Sequence, residues 1–245
     1  MADGLYLIKG ETLTGIGDAI RQVTGKTSAI KVENYASELI ENIPIYYTVG
    51  FYEIGNPTPL AFYKAVEDGS GVIYTGATPE SSGTYYFNGW NKDTSSVTGN
   101  MMVYANTLTS QQVINTLTYE IYPTYYIDGS ISGSVFDIIG CTNQEFVIIP
   151  NIINGAEPRE LKLGAVGSNL KAITVPPFIH IDPDVFRDCT NLQDVYFLGN
   201  KRQWYNTMQN NFGLDLENVN RQEYNSNFWL APRIHTTDGC IINQF

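Results

Sequence analysis

Three aspartates, Asp182, Asp184 and Asp188, fall close together in the chain. Paired carboxylates hydrolyse a glycosidic bond when they flank it at about 5–9.5 Å. Asp182-Pro183-Asp184 has a simpler reading as a turn whose side chains cap backbone groups, with Asp188 at a polar corner. His180 and His235 sit in no HxH or HExxH spacing and are expected to be strand residues, not ligands. Cys141, Cys189 and Cys240 form no CxxC pair, so no zinc site is expected and they read as small buried apolar residues. No GxSxG, P-loop or GxGxxG opens a helix, and no DxDxDG calcium loop is present. The residue pattern therefore points to no catalytic, cofactor or metal site, and the chain is not expected to be an enzyme.

Adjacent tyrosines suggest binding instead. Tyr46-Tyr47, Tyr85-Tyr86 and Tyr125-Tyr126 are pairs in strand-like segments, where neighbouring side chains face opposite ways. One member of each pair suits a core. The other offers a flat amphipathic ring for a protein interface or the face of a sugar.

Composition sets the frame for these residues. Of 245 residues 43% are apolar and only 16% charged, with 22 Gly and 17 Tyr, a balance that favours a folded β-rich chain of two or three modest domains. The formal charge of −11 would repel nucleic acid and anionic membranes, so neither is an expected partner. The opening MADGLYLIKGETL lacks the basic and apolar regions of a secretory signal, and no run approaches the length of a membrane span.

The N-terminal segment has helical periodicity. Leu13, Ile16, Ile20 and Val23 share one face of a helix that Thr12 can cap and Gly25 can end. A second stripe, Val32, Tyr35, Ala36, Leu39, Ile40 and Ile43, predicts another helix that Pro44 stops. Helices this short need a surface to pack on. Residues 1–44 are thus expected to form a helical hairpin that packs on the rest of the same chain or docks on a particle, through Leu13, Ile16, Ile20, Val23, Tyr35, Leu39 and Ile40.

From residue 45 to 107 the pattern changes to short runs rich in Tyr, Phe and Val, broken at Asn56-Pro57, Asp68-Gly69, Ser82-Gly83 and Thr98-Gly99. This predicts a small antiparallel β-module. Residues 108–130 read as a connector, with a short helix from Gln111 to Leu117 capped by Ser110, and a hairpin turning at Asp128-Gly129.

Residues 131–245 contain an internal repeat. CTNQEFVIIP, GSNLKAITVP and CTNLQDVYFL align without gaps, at spacings of 26 and 22 residues, and superimpose Asn143, Asn169 and Asn191. Val147, Ile173 and Val195 then coincide, as do Ile149, Val175 and Phe197. Such a unit cannot close its own core and must stack on the next, giving a short solenoid whose buried corner asparagines satisfy backbone groups. Cys141 and Cys189 would lie two layers apart, roughly 10 Å, too far for a disulfide. The tail APRIHTTDGCIINQF predicts a hairpin at Asp238-Gly239 that caps the stack. The expected fold class is mainly β with an N-terminal α-helical hairpin, a small antiparallel β-module and a short leucine-rich-repeat solenoid.

Three stretches resemble known families. VFRDCTNLQDVYFLGNKRQW, through Phe186, Cys189, Leu192, Val195 and Trp204, resembles the BspA type of leucine-rich repeat. Residues 47–105, through Phe87, Gly89 and Trp90, are similar to the internalin-type B-repeat of bacterial surface proteins. ETLTGIGDAIRQVTGKT with its second helix resembles the leader of many bacteriophage tail and virion proteins. Together these resemblances imply a non-enzymatic virion structural protein, a tail, neck or head-exterior appendage such as a head fiber. Its expected partners are other virion proteins and a bacterial surface glycan or protein, met by many copies per particle. The alternative is a capsid decoration or cementing protein that contacts only other virion chains.

Overall fold

The computed structural model describes residues 10–25, 27–31, 34–35, 44–81, 84–142, 145–182, 184–212 and 231–243. Helix α1 spans Gly10–Thr24, so it begins ahead of Thr12, which sits in its first turn. Gly25 ends it with a φ of 71°, a left-handed geometry that glycine adopts without a Cβ penalty. The expected second helix lies outside the described residues except for Asn34 and Tyr35.

The β-module is built from β1 (Tyr46–Tyr52), β2 (Ala61–Glu67), β3 (Tyr85–Trp90) and β4 (Met101–Thr109). Its strand order is β2-β1-β4-β3. The outer pairs are antiparallel, but β1 and β4 are parallel, so the sheet is mixed rather than all antiparallel as expected. The reason is the crossing between β2 and β3. These edge strands run the same way, and the chain linking them must traverse a face of the sheet. It lays Val72 and Tyr74 over Val49, Phe51 and Val103, with Val97 closing the small core. Gly71 permits this crossing, since a Cβ there would come within 2.9 Å of the Ser95 carbonyl oxygen.

Helix α2 (Ser110–Ile114) is shorter than expected and is capped one residue earlier. Thr109 accepts from the Gln112 N–H while the Gln112 side chain accepts from the Thr109 N–H, a reciprocal cap. The helix stops because Leu117 is already in a strand and its side chain is buried.

Ten further elements follow among the described residues: β5 (Leu117–Tyr125), β6 (Ile131–Cys141), β7 (Phe146–Ile148), β8 (Glu157–Leu161), β9 (Ala172–Val175), β10 (His180–Ile181), β11 (Asp194–Phe197), α3 (Lys201–Phe212), β12 (Arg233–Thr236) and β13 (Gly239–Ile242). They make two sheets, ordered β10-β8-β6-β5 and β13-β12-β11-β9-β7. From β6 to β11 successive strands alternate between the two, and within each sheet those strands pair in parallel. The second sheet is a ladder in which Val147 pairs with Ile173, Ile173 with Val195, and Val195 with Ile234. The first three are the aligned repeat positions. The fourth comes from the tail, whose β12 adds a parallel rung before β13 folds back, with Thr236 opposite Gly239. The hairpin turn is therefore Thr237-Asp238, one residue before the expected site.

One apolar core fills the space between these sheets, with Phe136, Ile138, Leu161 and Ile181 on one side and Val147, Ile173, Val195 and Phe197 on the other. The described chain is thus mainly β, in three mixed sheets, with an N-terminal helix. No described helix is long and apolar enough to cross a membrane.

Ile173 is a test of this core, being fully buried and paired on both sides. Ile173→Ala should cost about 2–5 kcal/mol in urea unfolding, whereas Ile139→Ala, on the exposed face of β6, should change stability by no more than about 1 kcal/mol.

Candidate functional site

The outer face of the ladder is where polar chemistry collects. Asp194 and Tyr196 of β11 face the same way as Arg233 and His235 of β12, because the two strands are parallel and in register. The Arg233 Nε and Nη2 donate to the two carboxylate oxygens of Asp194 at 2.6 and 2.8 Å. His235 Nε2 lies 2.9 Å from Asp194 Oδ1, and its Nδ1 lies 2.8 Å from the Gly76 carbonyl oxygen. Both neighbours are acceptors, so an imidazolium satisfies both by donating from each nitrogen. Its ring stacks on Tyr196 at 4.5 Å and on Tyr74 at 5.3 Å, an arrangement that favours a cation.

Burial alone would push the His235 pKa down, but the Asp194 carboxylate, Cys240 and the Gly76 carbonyl outweigh it and raise the value to about 9. Burial likewise works against the charge on Asp194, and the His235 and Arg233 hydrogen bonds overcome it to hold the carboxyl below its usual range. One anion and two cations share the site. The cluster carries a net positive charge within an acidic chain.

The β-module covers this face. Phe87 and Ala105 pack on Ala172 and Tyr196, with Trp90 and Phe146 beside them. Thr78 adds backbone recognition: its N–H donates to the Thr236 carbonyl at 2.9 Å, and its hydroxyl reaches the His235 and Phe197 carbonyls. The module is therefore joined to the ladder through a shared buried interface. Where the two meet, a cleft of about 260 Å³ remains, lined by Tyr74, Trp90, Asp93, Ser95, Asp194 and Arg233 among others. The Ser95 N–H and hydroxyl both donate to Asp93, at 2.8 and 2.9 Å, and hold its carboxyl below the usual range. Aromatic walls beside fixed carboxylate and guanidinium groups suit a small polyhydroxylated ligand, whose ring faces stack while its hydroxyls bond to charge.

The expected carboxylate group proves to be turn chemistry. Asp182 Oδ1 accepts from the Asp184 N–H at 2.9 Å, and Asp184 pairs with Arg187. His180 is an exposed strand residue, and His235 is also in a strand but at the centre of the buried cluster. All three cysteines are thiols. Burial pushes Cys141 up to about 12 and Cys189 up to about 11, which suppresses thiolate chemistry. Among the described residues no three His, Cys, Asp or Glu side chains converge as a metal site.

The corner asparagines behave differently from expectation. Asn143 lies outside the described residues. Asn169 and Asn191 hold matching positions four residues before Ile173 and Val195, but both are exposed rather than buried. Asn191 Nδ2 donates to the Ser168 carbonyl at 3.3 Å, linking one corner to the previous one. Their neighbours Leu170 and Leu192 take the inward places, because adjacent side chains cannot both enter the core.

Of the expected docking residues, Ile20 is buried, Leu13 half-buried and Ile16 exposed. Tyr35 is engaged within the hairpin: its hydroxyl donates to the Leu13 carbonyl at 2.8 Å, and a Cβ on Gly17 would collide with it. The side chain of Val23, and Leu39 and Ile40, lie outside the described residues. Ile20 belongs to none of the three apolar cores of the described chain.

The Asp194 cluster escaped sequence reasoning, although a signal existed. Extending the repeat to RIHT sets Arg233 opposite Asp194 and His235 opposite Tyr196. No protein-family model, curated protein or solved structure matches this chain. Its family resemblances therefore rest on its own residues.

Two outcomes follow from the cluster. Because the folded His235 pKa of about 9 exceeds the reference 6.5, the folded state binds the extra proton between those values. The resulting stabilisation, on the order of 3 kcal/mol, is complete below about pH 6.5 and lost as pH rises through about 9. Urea unfolding from pH 6 to 10 should show this decline, and His235→Phe should flatten it. Asp194→Asn, which leaves the buried His235 and the half-buried Arg233 without their shared carboxylate, should cost about 3–5 kcal/mol at pH 7 by the same measurement.

Proposed function

We propose that this chain is a non-enzymatic component of a bacteriophage virion, a tail, neck or head-exterior appendage that docks through its N-terminal hairpin and displays its β and leucine-rich domains to the host surface. The observation that carries the reading is the apolar stripe of α1, of which Ile16 is exposed and Leu13 half-buried. A short amphipathic helix gains stability by packing such residues on a surface, and an array of neighbouring virion subunits supplies one. The alternation of β6 to β11 between two sheets, with those strands parallel within each, supports reading the C-terminal half as a short leucine-rich coil.

Host attachment by this route is multivalent. Weak contacts between single copies and a surface glycan become durable when many copies share one particle. The cleft lined by Trp90, Asp93 and Arg233 is the favoured glycan contact. A second reading, an architectural decoration or cementing protein, draws support from the covered outer face of the ladder, which leaves less of the coil open to a receptor.

The test uses reconstituted particles. Leu13→Asp with Ile16→Asp should abolish incorporation of the protein into particles, measured by electron microscopy and particle-bound mass, while leaving the unfolding midpoint of the body within about 1 kcal/mol of wild type. Undiminished incorporation of that variant would overturn hairpin docking. Ile73→Arg, at an exposed position of the cleft, should reduce binding of particles to host cell wall by at least about tenfold if the cleft meets a glycan, and by nothing in the architectural case.

A further inference from the structure

The β5–β6 hairpin is longer than the sheet that holds it. β6 pairs with β8 only from Val135 to Ile138, and β5 is the sheet edge. From Pro123 and Ser134 outward the two strands pair only with each other, ending in the turn at Tyr126–Ser130. A two-stranded ribbon has little stability of its own in water.

Its side chains are arranged as if for burial. Leu117 and its neighbours Phe136 and Ile138 point into the core, and Tyr119 packs against it. Alternation carries that face outward through Ile121, Pro123 and Tyr125 on β5, and a register shift after Thr124 sets Ile131 of β6 opposite Tyr125. Past the body's edge it is uncovered: Ile121 is 41% exposed, Tyr125 61% and Ile131 67%, with Tyr126 at 62% and Ile127 fully exposed at the tip. Together these residues present on the order of 700 Å² of accessible surface, close to the roughly 800 Å² that each partner contributes to a standard stable interface.

Charge selects the occupant. Between Leu117 and Cys141 there is no Lys, Arg or His, so an anionic membrane or a phosphorylated partner finds no cation here. The three acids of the segment lie off this face. Glu120 and Asp137 stand opposite each other on the other side, where Arg159 and Lys162 pair with Asp137, and Asp128 sits in the turn, bonded to Ser130. Copies of a chain with net charge −11 repel one another over most of their surface, and this uncharged stripe is where two can meet without opposing like charges. A two-fold contact brings the same patch of both copies together, and an uncharged apolar stripe meets its own copy without charge conflict.

We propose that the β5–β6 ribbon is a self-association surface, through which two copies of this chain bury Ile121, Tyr125, Ile127 and Ile131 against the same residues of the partner. The contact is separate from hairpin docking and holds whether or not the chain belongs to a particle.

Sedimentation equilibrium of the full chain should give a concentration-dependent mass that reaches two chains. The variant Tyr125→Asp with Ile131→Asp should halve that mass and weaken association by at least a hundredfold, with an unchanged unfolding midpoint because both positions are exposed. Tyr125→Phe should preserve the dimer, and so should Leu13→Asp with Ile16→Asp, which separates the ribbon from the hairpin. As a second readout, Ile127→Cys should form an intermolecular disulfide under mild oxidation. A chain that stays monomeric at every concentration overturns the proposal, as does a dimer that survives the ribbon variant or is lost in the hairpin variant. A monomer whose ribbon variant instead loses binding to isolated host cell wall assigns the surface to a glycan and equally overturns it.

Discussion

The parallel strands β7-β9-β11-β12 are apolar on the inner face and carry aromatic and charged side chains on the outer one, and neither face can be buried by the sheet itself. Parallel strands cannot leave one side to water as an antiparallel hairpin can, so both sides demand a cover. The inner side, with Val147, Ile173 and Val195, is met by the sheet that β6, β8 and β10 form. The outer side, with Phe146, Ala172 and Tyr196, is met by the β-module. The order of elements follows from this demand. The chain visits the two sheets alternately to close the inner core, and the module that precedes them folds back to close the outer one. The β-module and the ladder are consequently a single mechanical body.

The outer interface carries a polar cluster because its rungs end in Asp194, Arg233 and His235. A buried ion group of this kind adds little net stability over an apolar equivalent, since desolvation offsets most of the attraction. Its effect here is positional. His235 can satisfy both ring nitrogens only when Gly76 of the module and Asp194 of the ladder stand in one arrangement. Thr78 repeats that requirement with backbone atoms. Apolar packing alone would tolerate a sliding module; the hydrogen bonds hold it in one register, and the cleft beside them keeps its shape.

Two features remain outside this body, and they sit at different places on the chain. Helix α1 holds an apolar stripe of which Ile16 is exposed and Leu13 half-buried. The β5–β6 ribbon extends a core-facing stripe past the last strand that could cover it. Both are surfaces whose pattern calls for burial. On the proposed reading one surface meets the particle and the other a second copy, and together they set copy number and spacing, the quantities on which multivalent attachment depends.

Much of this was legible in the chain. The gapless alignment of FVII, AITV and DVYF identified the rungs that pair, because a stack of parallel strands needs the same apolar positions at each level. The strand-rich module, the Gly25 stop and the tail hairpin were legible for equally local reasons, namely strand alternation and turn chemistry. The module's parallel centre was not, since strand direction depends on how the chain crosses a face and leaves no local mark. The corner asparagines were misjudged because which of two adjacent residues turns inward depends on the neighbouring layer. The cluster at Asp194 lay further out of reach: its members are distant in sequence, and only stacking β12 on β11 under the module brings the two cations to one carboxylate. Sequence by itself determined which segments could be strands and which rungs matched, through periodicity that each segment carries alone. Tertiary structure decided which faces were covered and which charges met, because burial and Coulomb attraction act between residues that only the fold brings within a few ångströms.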